Sequence, residues 1–323
     1  MTTRLLLLLD LPKETQAQYY QRLTAEFPQL LVDLAGHHSE VGTSLSTTDI
    51  LVTFAPMLTD ALLGKAEKLK FVQALGTGVD NLIDLPSLRS NVLITNIHGI
   101  HGAAMSEAAI MAMLALSRNF PRIVRNQDRH DWQRWPARLL DGKTVGIFGV
   151  GAIAEALAPK CKALGMTVVG ISSTKRAVAN FDRMFARDEL AHAVTNLDYL
   201  IVLSPYSSAT RNILNSRIFS AMKTSAYFIN LARGGVVDES ALIDALEREQ
   251  IAGAALDVFS EEPLPPAHAF WSMKNVIVMP HLAGFNDQYA AQALPVVVEN
   301  IRKFLAGDFT NMLNIVRRGD GAS

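Results

Sequence analysis

Short apolar runs alternate with stretches of helical periodicity over almost the whole chain. In the first third, the apolar runs with the length of a buried strand are Leu5–Leu9, Ile50–Phe54, Phe71–Leu75 and Val92–Thr95. The helical patterns there are Gln16–Phe27, Leu58–Lys68 and a long Ala/Met-rich segment from about Ala103 to Leu116. This β-α-β-α rhythm predicts a parallel sheet with helices on both faces.

The same rhythm is clearer from Thr144 onward. The strands predicted there are Thr144–Phe148, Thr167–Ile171, Leu200–Leu203, Ala226–Asn230, Ala254–Val258 and Val276–Met279. The helices predicted there are Ile153–Leu164, Ser240–Glu249 and Leu294–Leu305. Because the strands are short, apolar and β-branched, we expect both faces of the sheet to be buried. The tail Arg317–Ser323 is predicted to be loose.

Composition narrows the classes of function. The net charge of −1 provides no basic field for nucleic acid or an anionic membrane, so neither is expected as a partner. The apolar run after Arg4 is shorter than a signal-peptide core, and no run approaches the roughly 18 residues that span a bilayer. With a single cysteine, Cys161, no intrachain disulfide can form, and we expect a cytoplasmic protein. His98 and His101 lack a third ligand at metal spacing, so no metal is predicted.

A glycine turn follows the predicted strand Thr144–Phe148 and precedes a predicted helix. Its fingerprint is G-x-G-x-x-A, with Gly149 permitting the tight turn and Gly151 allowing close approach of the backbone to a pyrophosphate. Ala152 and Ile153 then open the helix, whose free N–H groups and positive dipole end suit phosphate groups. In this strand–turn–helix context, the motif predicts a dinucleotide site.

The segment after the next strand bears on which dinucleotide is bound. It runs Ser172-Ser173-Thr174-Lys175-Arg176. An NAD site usually carries an acidic residue about 20 residues past the glycines, and none stands here. Hydroxyls and two cations are what a 2′-phosphate would need, which favours NADP(H), with NAD(H) possible. The alternative is that this segment is only a solvated basic turn.

The length of 323 residues allows two domains of ordinary size. We predict an α/β fold of two Rossmann-like or flavodoxin-like parallel-sheet domains, with an active-site cleft between the domains. The dinucleotide-binding domain is expected at residues 98–289. Residues 1–97 plus 290–323 would form a substrate domain, to which the last helix returns.

Three further segments follow the glycine loop. They read N-x-A-R-G-G at Asn230–Gly235, D-V-F-x-x-E-P at Asp257–Pro263, and P-H at Pro280-His281. Each segment alone could be structural, but their combination and order are specific. From about Phe71 to Leu305 the chain resembles the D-isomer-specific 2-hydroxyacid dehydrogenase family.

This resemblance implies roles for three residues. Arg233 corresponds to the arginine that holds the substrate carboxylate and carbonyl oxygen, His281 to the general acid/base, and Glu262 to its carboxylate partner. Elementary chemistry agrees, because histidine titrates near neutral pH and a carboxylate beside it would orient the ring. Arginine offers a planar fork that matches a carboxylate.

The resemblance also implies further contacts. The turn Leu75-Gly76-Thr77-Gly78 would bind the substrate carboxylate through its N–H groups, Pro205 and Thr210 would lie on the adenine side, and Asp257 would lie near the nicotinamide. Asn96 and Glu107 have family-like surroundings and are open to a structural or a functional role. A homodimer is implied, to which Trp132 and Trp135 could contribute. The family's usual aspartate is replaced by Ser172, which puts a preference for NAD in doubt.

The best hypothesis is therefore an NAD(P)-dependent dehydrogenase that reduces a small 2-keto acid to a D-2-hydroxy acid, with glyoxylate or hydroxypyruvate favoured. One alternative is a phosphoglycerate-type dehydrogenase. Another is a non-enzymatic dinucleotide-binding protein similar to the transcriptional corepressors that resemble this family.

Overall fold

The computed structural model describes residues 2–319. The β-strands are β1 (Arg4–Leu8), β2 (Leu31–Ala35), β3 (Ile50–Thr53), β4 (Phe71–Ala74), β5 (Leu93–Thr95), β6 (Thr144–Phe148), β7 (Thr167–Ser172), β8 (Arg183–Ala186), β9 (Tyr199–Val202), β10 (Tyr227–Asn230), β11 (Gly253–Leu256), β12 (Val276–Val278) and β13 (Ile315–Arg317). The α-helices are α1 (Lys13–Glu26), α2 (Ser44–Thr47), α3 (Asp60–Leu63), α4 (Asp80–Ile83), α5 (Gly102–Arg118), α6 (Phe120–Asp128), α7 (Ala152–Ala163), α8 (Leu190–Ala193), α9 (Ser216–Ala221), α10 (Glu239–Glu247) and α11 (Tyr289–Ala306). Across this described part of the chain, no helix has the length and apolar character needed to cross a membrane.

The first compact unit comprises the chain up to Ile100 and again from Asp287. Its sheet has the order β13-β5-β4-β3-β1-β2, and only the pairing of β13 with β5 is antiparallel. The parallel part has the 2-1-3-4-5 order of flavodoxin-like sheets. Alternate leucines of β1 lie on opposite faces of the sheet. Leu5 and Leu7 pack with α1 and α11 on one face, whereas Leu6 and Leu8 belong to the core on the other face.

The second unit is His101–Asn286. Its sheet is parallel throughout, with the order β12-β11-β10-β9-β6-β7-β8. Numbered within the unit, the order is 3-2-1-4-5-6-7, which is the 3-2-1-4-5-6 order of dinucleotide-binding folds with a seventh strand added, and it reverses between β6 and β9. Val145 and Ile147 of β6 face one core and Phe148 faces the other, so both faces of the sheet are buried. The predicted α/β class with two mostly parallel sheets is confirmed.

Several elements differ from the sequence-based expectation. The helix predicted at Leu58–Lys68 is wrong, because only Asp60–Leu63 is α-helical and the chain turns at Gly64. The sequence analysis missed three edge strands (β2, β8 and β13) and five helices (α2, α4, α6, α8 and α9). Edge strands carry a weaker apolar signal, as in β2, where Leu31 and Leu34 are exposed. Arg317 belongs to β13 rather than to a loose tail, and residues 320–323 lie outside the described residues.

Candidate active site

Three of the predicted site residues follow the carboxyl ends of three neighbouring parallel strands. Arg233 follows β10, Asp257 follows β11 and His281 follows β12. The strand ends lie in register, because Asn230 pairs with Leu256 and Leu256 pairs with Val278. The second unit therefore brings these residues to one edge of its sheet, the edge where open α/β sheets bind ligands.

His281 and Glu262 form a short hydrogen-bonded pair at this edge. The Nδ1 atom of His281 lies 2.7 Å from Oε2 of Glu262. The second carboxylate oxygen of Glu262 accepts the backbone N–H of Phe259 at 2.9 Å. The side chains are 45% and 33% exposed, respectively, so a small molecule can reach the imidazole while its Nδ1 side is held.

The surroundings of Glu262 favour its ionised form. Partial burial alone would raise the pKa of this carboxyl group, but the hydrogen bond from His281 and the N–H of Phe259 oppose that effect. The positive charges of His281 and Arg233 act in the same direction, and the net result is a lowered pKa. Glu262 is thus suited to hold the imidazole as a negatively charged acceptor.

Asp257 clamps the backbone at His281 and at the two residues that follow it. Its carboxylate is buried and accepts the N–H groups of Leu282 at 2.7 Å and Ala283 at 2.9 Å, while its carbonyl oxygen accepts the N–H of His281 at 2.9 Å. Burial raises the pKa of Asp257, and the two N–H donors offset this only in part. The predicted contact of Asp257 with the cofactor stays a prediction, and the structure adds a positioning role that the sequence did not indicate.

The backbone of Arg233 is held by Asn230, the polar last residue of β10. The buried side chain of Asn230 donates to the carbonyl of Arg233 at 3.1 Å and accepts the N–H of Ala232 at 3.1 Å. A Cβ on Gly234 would lie 1.9 Å from the carbonyl carbon of Phe259, so only glycine permits this loop to approach the segment that leads to Glu262. The sequence analysis assigned no role to Asn230, although a polar last residue on an otherwise buried strand was an available signal.

The glycine loop lies where the strand order reverses. Gly149 has a φ of +103°, and a Cβ there would lie 2.4 Å from the backbone nitrogen of Ser204, so both conformation and space require glycine. Gly151 caps α7, with nothing within 4 Å of its would-be Cβ. Ala152 and Ile153 begin the helix, and the next residue, Ala154, is fully buried. An open cradle before free helical N–H groups fits a pyrophosphate.

The turn after β7 presents two cations, each paired with an acid. Lys175 lies 3.3 Å from Glu189, and Arg176 lies 2.9 Å from Glu155, in the first turn of α7. Ser172 ends β7 and donates through its hydroxyl to the carbonyl of Thr174, while Ser173 and Thr174 are exposed. Glu155 holds Arg176 at the start of the helix that follows the glycine loop, and both cations are exposed and accessible to a ligand.

The predicted adenine-side residues lie in a loop after β9. Pro205 is exposed, whereas Thr210 is buried. The hydroxyl of Thr210 donates to the carbonyl of Pro205 at 2.8 Å and accepts the N–H of Ser207 at 2.8 Å. Thr210 therefore fixes the loop from within, and its contact with a cofactor stays a prediction.

The predicted carboxylate loop, Leu75–Gly78, belongs to the first unit and follows β4. Leu75 is buried and Thr77 is exposed. The side-chain amide of Asn96 donates to the carbonyl of Thr77 in this loop.

Two other residues named in the sequence analysis, Glu107 and Trp132, are exposed in the second unit. Among residues 2–319 there is no cluster of three or more potential metal ligands.

Comparison with known proteins adds to this geometry. The family model "D-isomer specific 2-hydroxyacid dehydrogenase, NAD binding domain" matches residues 110–283. The D-3-phosphoglycerate dehydrogenase of Methanocaldococcus jannaschii is 31% identical over 276 residues, which are 84% of this chain but 52% of that protein. The chain thus spans about half the length of that relative.

Two glyoxylate/hydroxypyruvate reductases match over more of their length. Glyoxylate/hydroxypyruvate reductase A of Yersinia enterocolitica is 31% identical over 263 residues, 79% of this chain and 83% of that protein. The solved structure of the NADPH-dependent glyoxylate/hydroxypyruvate reductase of Sinorhizobium meliloti, in complex with NADP and sulfate, matches with a TM-score of 0.81 and 28% identity. That match covers 97% of this chain and 98% of the other.

The lowered pKa of Glu262 predicts how the stability of the second unit depends on pH. A depressed carboxyl pKa stabilises the fold above the ordinary value of 4.5, and this contribution is lost as the pH falls through the pKa of the folded state. Glu262→Gln should therefore be less stable than the wild type at pH 7, and the difference should shrink at pH 3.5.

The measurement is urea unfolding followed by tryptophan fluorescence, since Trp132, Trp135 and Trp271 all lie in the second unit. Glu261→Gln, at the exposed neighbouring position, is the control and should follow the wild type at both pH values. A Glu262→Gln deficit that does not change with pH would contradict the electrostatic explanation.

Proposed function

Because the chain belongs to the D-isomer specific 2-hydroxyacid dehydrogenase family, whose members are NAD(P)-dependent oxidoreductases, we propose that it reduces a small 2-keto acid to the D-2-hydroxy acid. Glyoxylate and hydroxypyruvate are the proposed substrates, as the names of two relatives matched over most of their length suggest. The observation that carries the proposal is the His281–Glu262 pair at the sheet edge that also bears Arg233.

Different side chains of the second unit have different roles in the proposed reaction. Reduction of a keto group needs a hydride at carbon and a proton at oxygen. His281 donates that proton from Nε2 to the carbonyl oxygen, while Glu262 holds Nδ1 and stabilises the charged ring. Arg233 binds the carboxylate and polarises the carbonyl group through its planar fork. In the reverse direction His281 accepts the hydroxyl proton.

The proposed cofactor is NADP(H). The reduced nicotinamide supplies the hydride when it is bound. Gly149, Gly151 and the first N–H groups of α7 would hold the pyrophosphate, and Lys175 and Arg176 would bind the 2′-phosphate. The NADP in the Sinorhizobium meliloti structure supports this preference. The second unit would then be the dinucleotide-binding domain and the first the substrate domain, whose loop Leu75–Gly78 binds the carboxylate.

A phosphoglycerate-type activity is the second candidate. It is favoured by the identity to the Methanocaldococcus jannaschii relative, although the chain matches only about half of that protein. A test therefore includes 3-phosphohydroxypyruvate beside glyoxylate, hydroxypyruvate and pyruvate, each with NADPH and with NADH.

The role of His281 predicts a large kinetic defect in His281→Asn. Asparagine tolerates the left-handed φ of +53° at this position but cannot donate the proton, so kcat should fall by about 10²- to 10⁴-fold. The dissociation constant of NADPH, measured by its fluorescence, should change little.

His268→Asn is the matched control, because His268 also faces a glutamate, Glu239, at 3.9 Å but is not part of the proposed site. It should retain near wild-type kcat. Normal turnover in His281→Asn would remove His281 as the proton donor, and a folded wild type that reduces none of the four acids would reject the proposed activity.

The cofactor assignment predicts a selective loss of NADPH use. Lys175→Ala combined with Arg176→Ala removes two charge-assisted contacts to the 2′-phosphate, so KM for NADPH should rise about 10- to 100-fold while KM for NADH stays within about twofold. Lys162→Ala, at an exposed lysine paired with Asp182 in the same unit, is the control and should change neither value. An equal rise in KM for NADPH and for NADH would show that Lys175 and Arg176 do not bind the 2′-phosphate and have a structural role.

A homodimer is proposed from an apolar surface of the second unit. Exposed apolar side chains occur close together in sequence from α6 to the segment that follows it, at Phe120, Ile123, Val124, Trp132 and Leu139. Trp132 is 91% exposed, which is costly for so large an apolar side chain unless a partner covers it.

We expect light scattering to give the mass of a dimer for the wild type and a shift toward monomer for Trp132→Glu. Trp271→Glu is the matched control, because Trp271 is 53% exposed but lies elsewhere in the sequence, and it should stay dimeric. A wild-type monomer would contradict the proposed assembly.

A further inference from the structure

The loop Leu75–Gly78 is held by its carbonyl groups. The hydroxyl of Tyr289 donates to the carbonyl of Leu75, and the N–H of Ile97 donates to the carbonyl of Gly76 at 3.2 Å. The side-chain amide of Asn96 donates to the carbonyl of Thr77 at 2.6 Å. Three successive carbonyl groups are thus fixed from within the first unit.

Fixing a carbonyl also fixes the direction of the next N–H. A trans peptide is planar, and its N–H points away from its C=O. The contact of Tyr289 with the carbonyl of Leu75 therefore aims the N–H of Gly76, and the contact of Asn96 with the carbonyl of Thr77 aims the N–H of Gly78. These are two of the groups to which carboxylate binding is assigned.

The two donor residues, Tyr289 and Asn96, are each held in place by further contacts. Tyr289 is the first residue of α11, is 5% exposed, and packs its ring against Phe54 with centroids 6.1 Å apart. Asn96 is fixed at its backbone, where its N–H donates to the carbonyl of Asn314 at 3.1 Å and its carbonyl accepts the side-chain amide of Asn314 at 3.3 Å. Such supported donors can hold a loop in one conformation.

We propose that Tyr289 and Asn96 are positioning residues for recognition of the substrate carboxylate. They act through the backbone of the loop, by keeping the N–H groups of Gly76 and Gly78 oriented for an anion. This inference rests on the proposed function, since it presumes that the loop binds a 2-keto acid. Preorganised N–H donors bind an anion without the cost of reordering the loop, so their loss should appear in affinity for the acid.

The same core contains a matched control for Tyr289. Tyr19 is fully buried in the core cluster to which Tyr289 belongs, and its hydroxyl has no hydrogen-bond partner within the described residues. Tyr19→Phe and Tyr289→Phe are the same chemical change in the same core, and only the second removes a contact to the loop. For Asn96→Ala, the control is Asn91→Ala at an exposed position before the same strand.

The experiment uses the full chain and compares the 2-keto acid of highest wild-type turnover with its methyl ester, which lacks the negative charge. In Tyr289→Phe and Asn96→Ala, KM for the acid should rise about tenfold, while kcat, KM for the ester and the dissociation constant of NADPH change less than twofold. Tyr19→Phe and Asn91→Ala should match the wild type for both substrates.

Two results would overturn the inference while leaving the proposed function intact. In the first, Tyr289→Phe and Asn96→Ala have wild-type kinetics. In the second, the acid and the ester lose the same factor, which would mark a general structural effect. A folded wild type that reduces no keto acid would instead reject the proposed function and the inference with it.

Discussion

The candidate active site depends on how the chain holds His281. Asp257 binds the backbone at three successive N–H groups, those of His281, Leu282 and Ala283, and Glu262 binds the ring at Nδ1. The left-handed φ of His281 costs about 1–3 kcal/mol, and these contacts oppose it. A buried carboxylate is itself unfavourable unless its oxygens accept hydrogen bonds, and here both oxygens do. These contacts hold both the backbone and Nδ1 of His281 while the side chain stays 45% exposed.

Parallel strand order turns residues that are distant in sequence into neighbours. Arg233, Asp257 and His281 follow three consecutive strands, β10, β11 and β12, and adjacent strands in register bring their loops to one edge. The loops can meet only because backbone approaches backbone there, which requires the absence of a side chain at Gly234. The same requirement at Gly149 places the glycine loop against the backbone of Leu203 and Ser204, directly after β9, the strand across the reversal in strand order.

Much of this architecture could be predicted from the sequence, because buried parallel strands are short continuous apolar runs such as Thr144–Phe148. The order of the motifs also predicted Glu262 as the partner of His281, and the two side chains lie 2.7 Å apart. The sequence pattern could not show which residues that are distant in sequence contact each other in the folded chain. Nothing in the pattern distinguishes an Asp257 that faces a ligand from one that clamps a backbone, or reveals that the hydroxyl of Tyr289 reaches Leu75. Likewise the helix predicted at Leu58–Lys68 is overridden by local turns.

The central claim is that Glu262 keeps a proton on Nδ1 of His281 and leaves Nε2 for the substrate. The most direct test is nitrogen-15 NMR of the histidine-labelled protein at a pH where the ring is neutral, with the signal of His281 identified by its loss in His281→Asn. The account predicts the Nδ1–H tautomer, and conversion to the tautomer mixture of a free ring in Glu262→Gln. An Nε2–H tautomer in the wild type would contradict it.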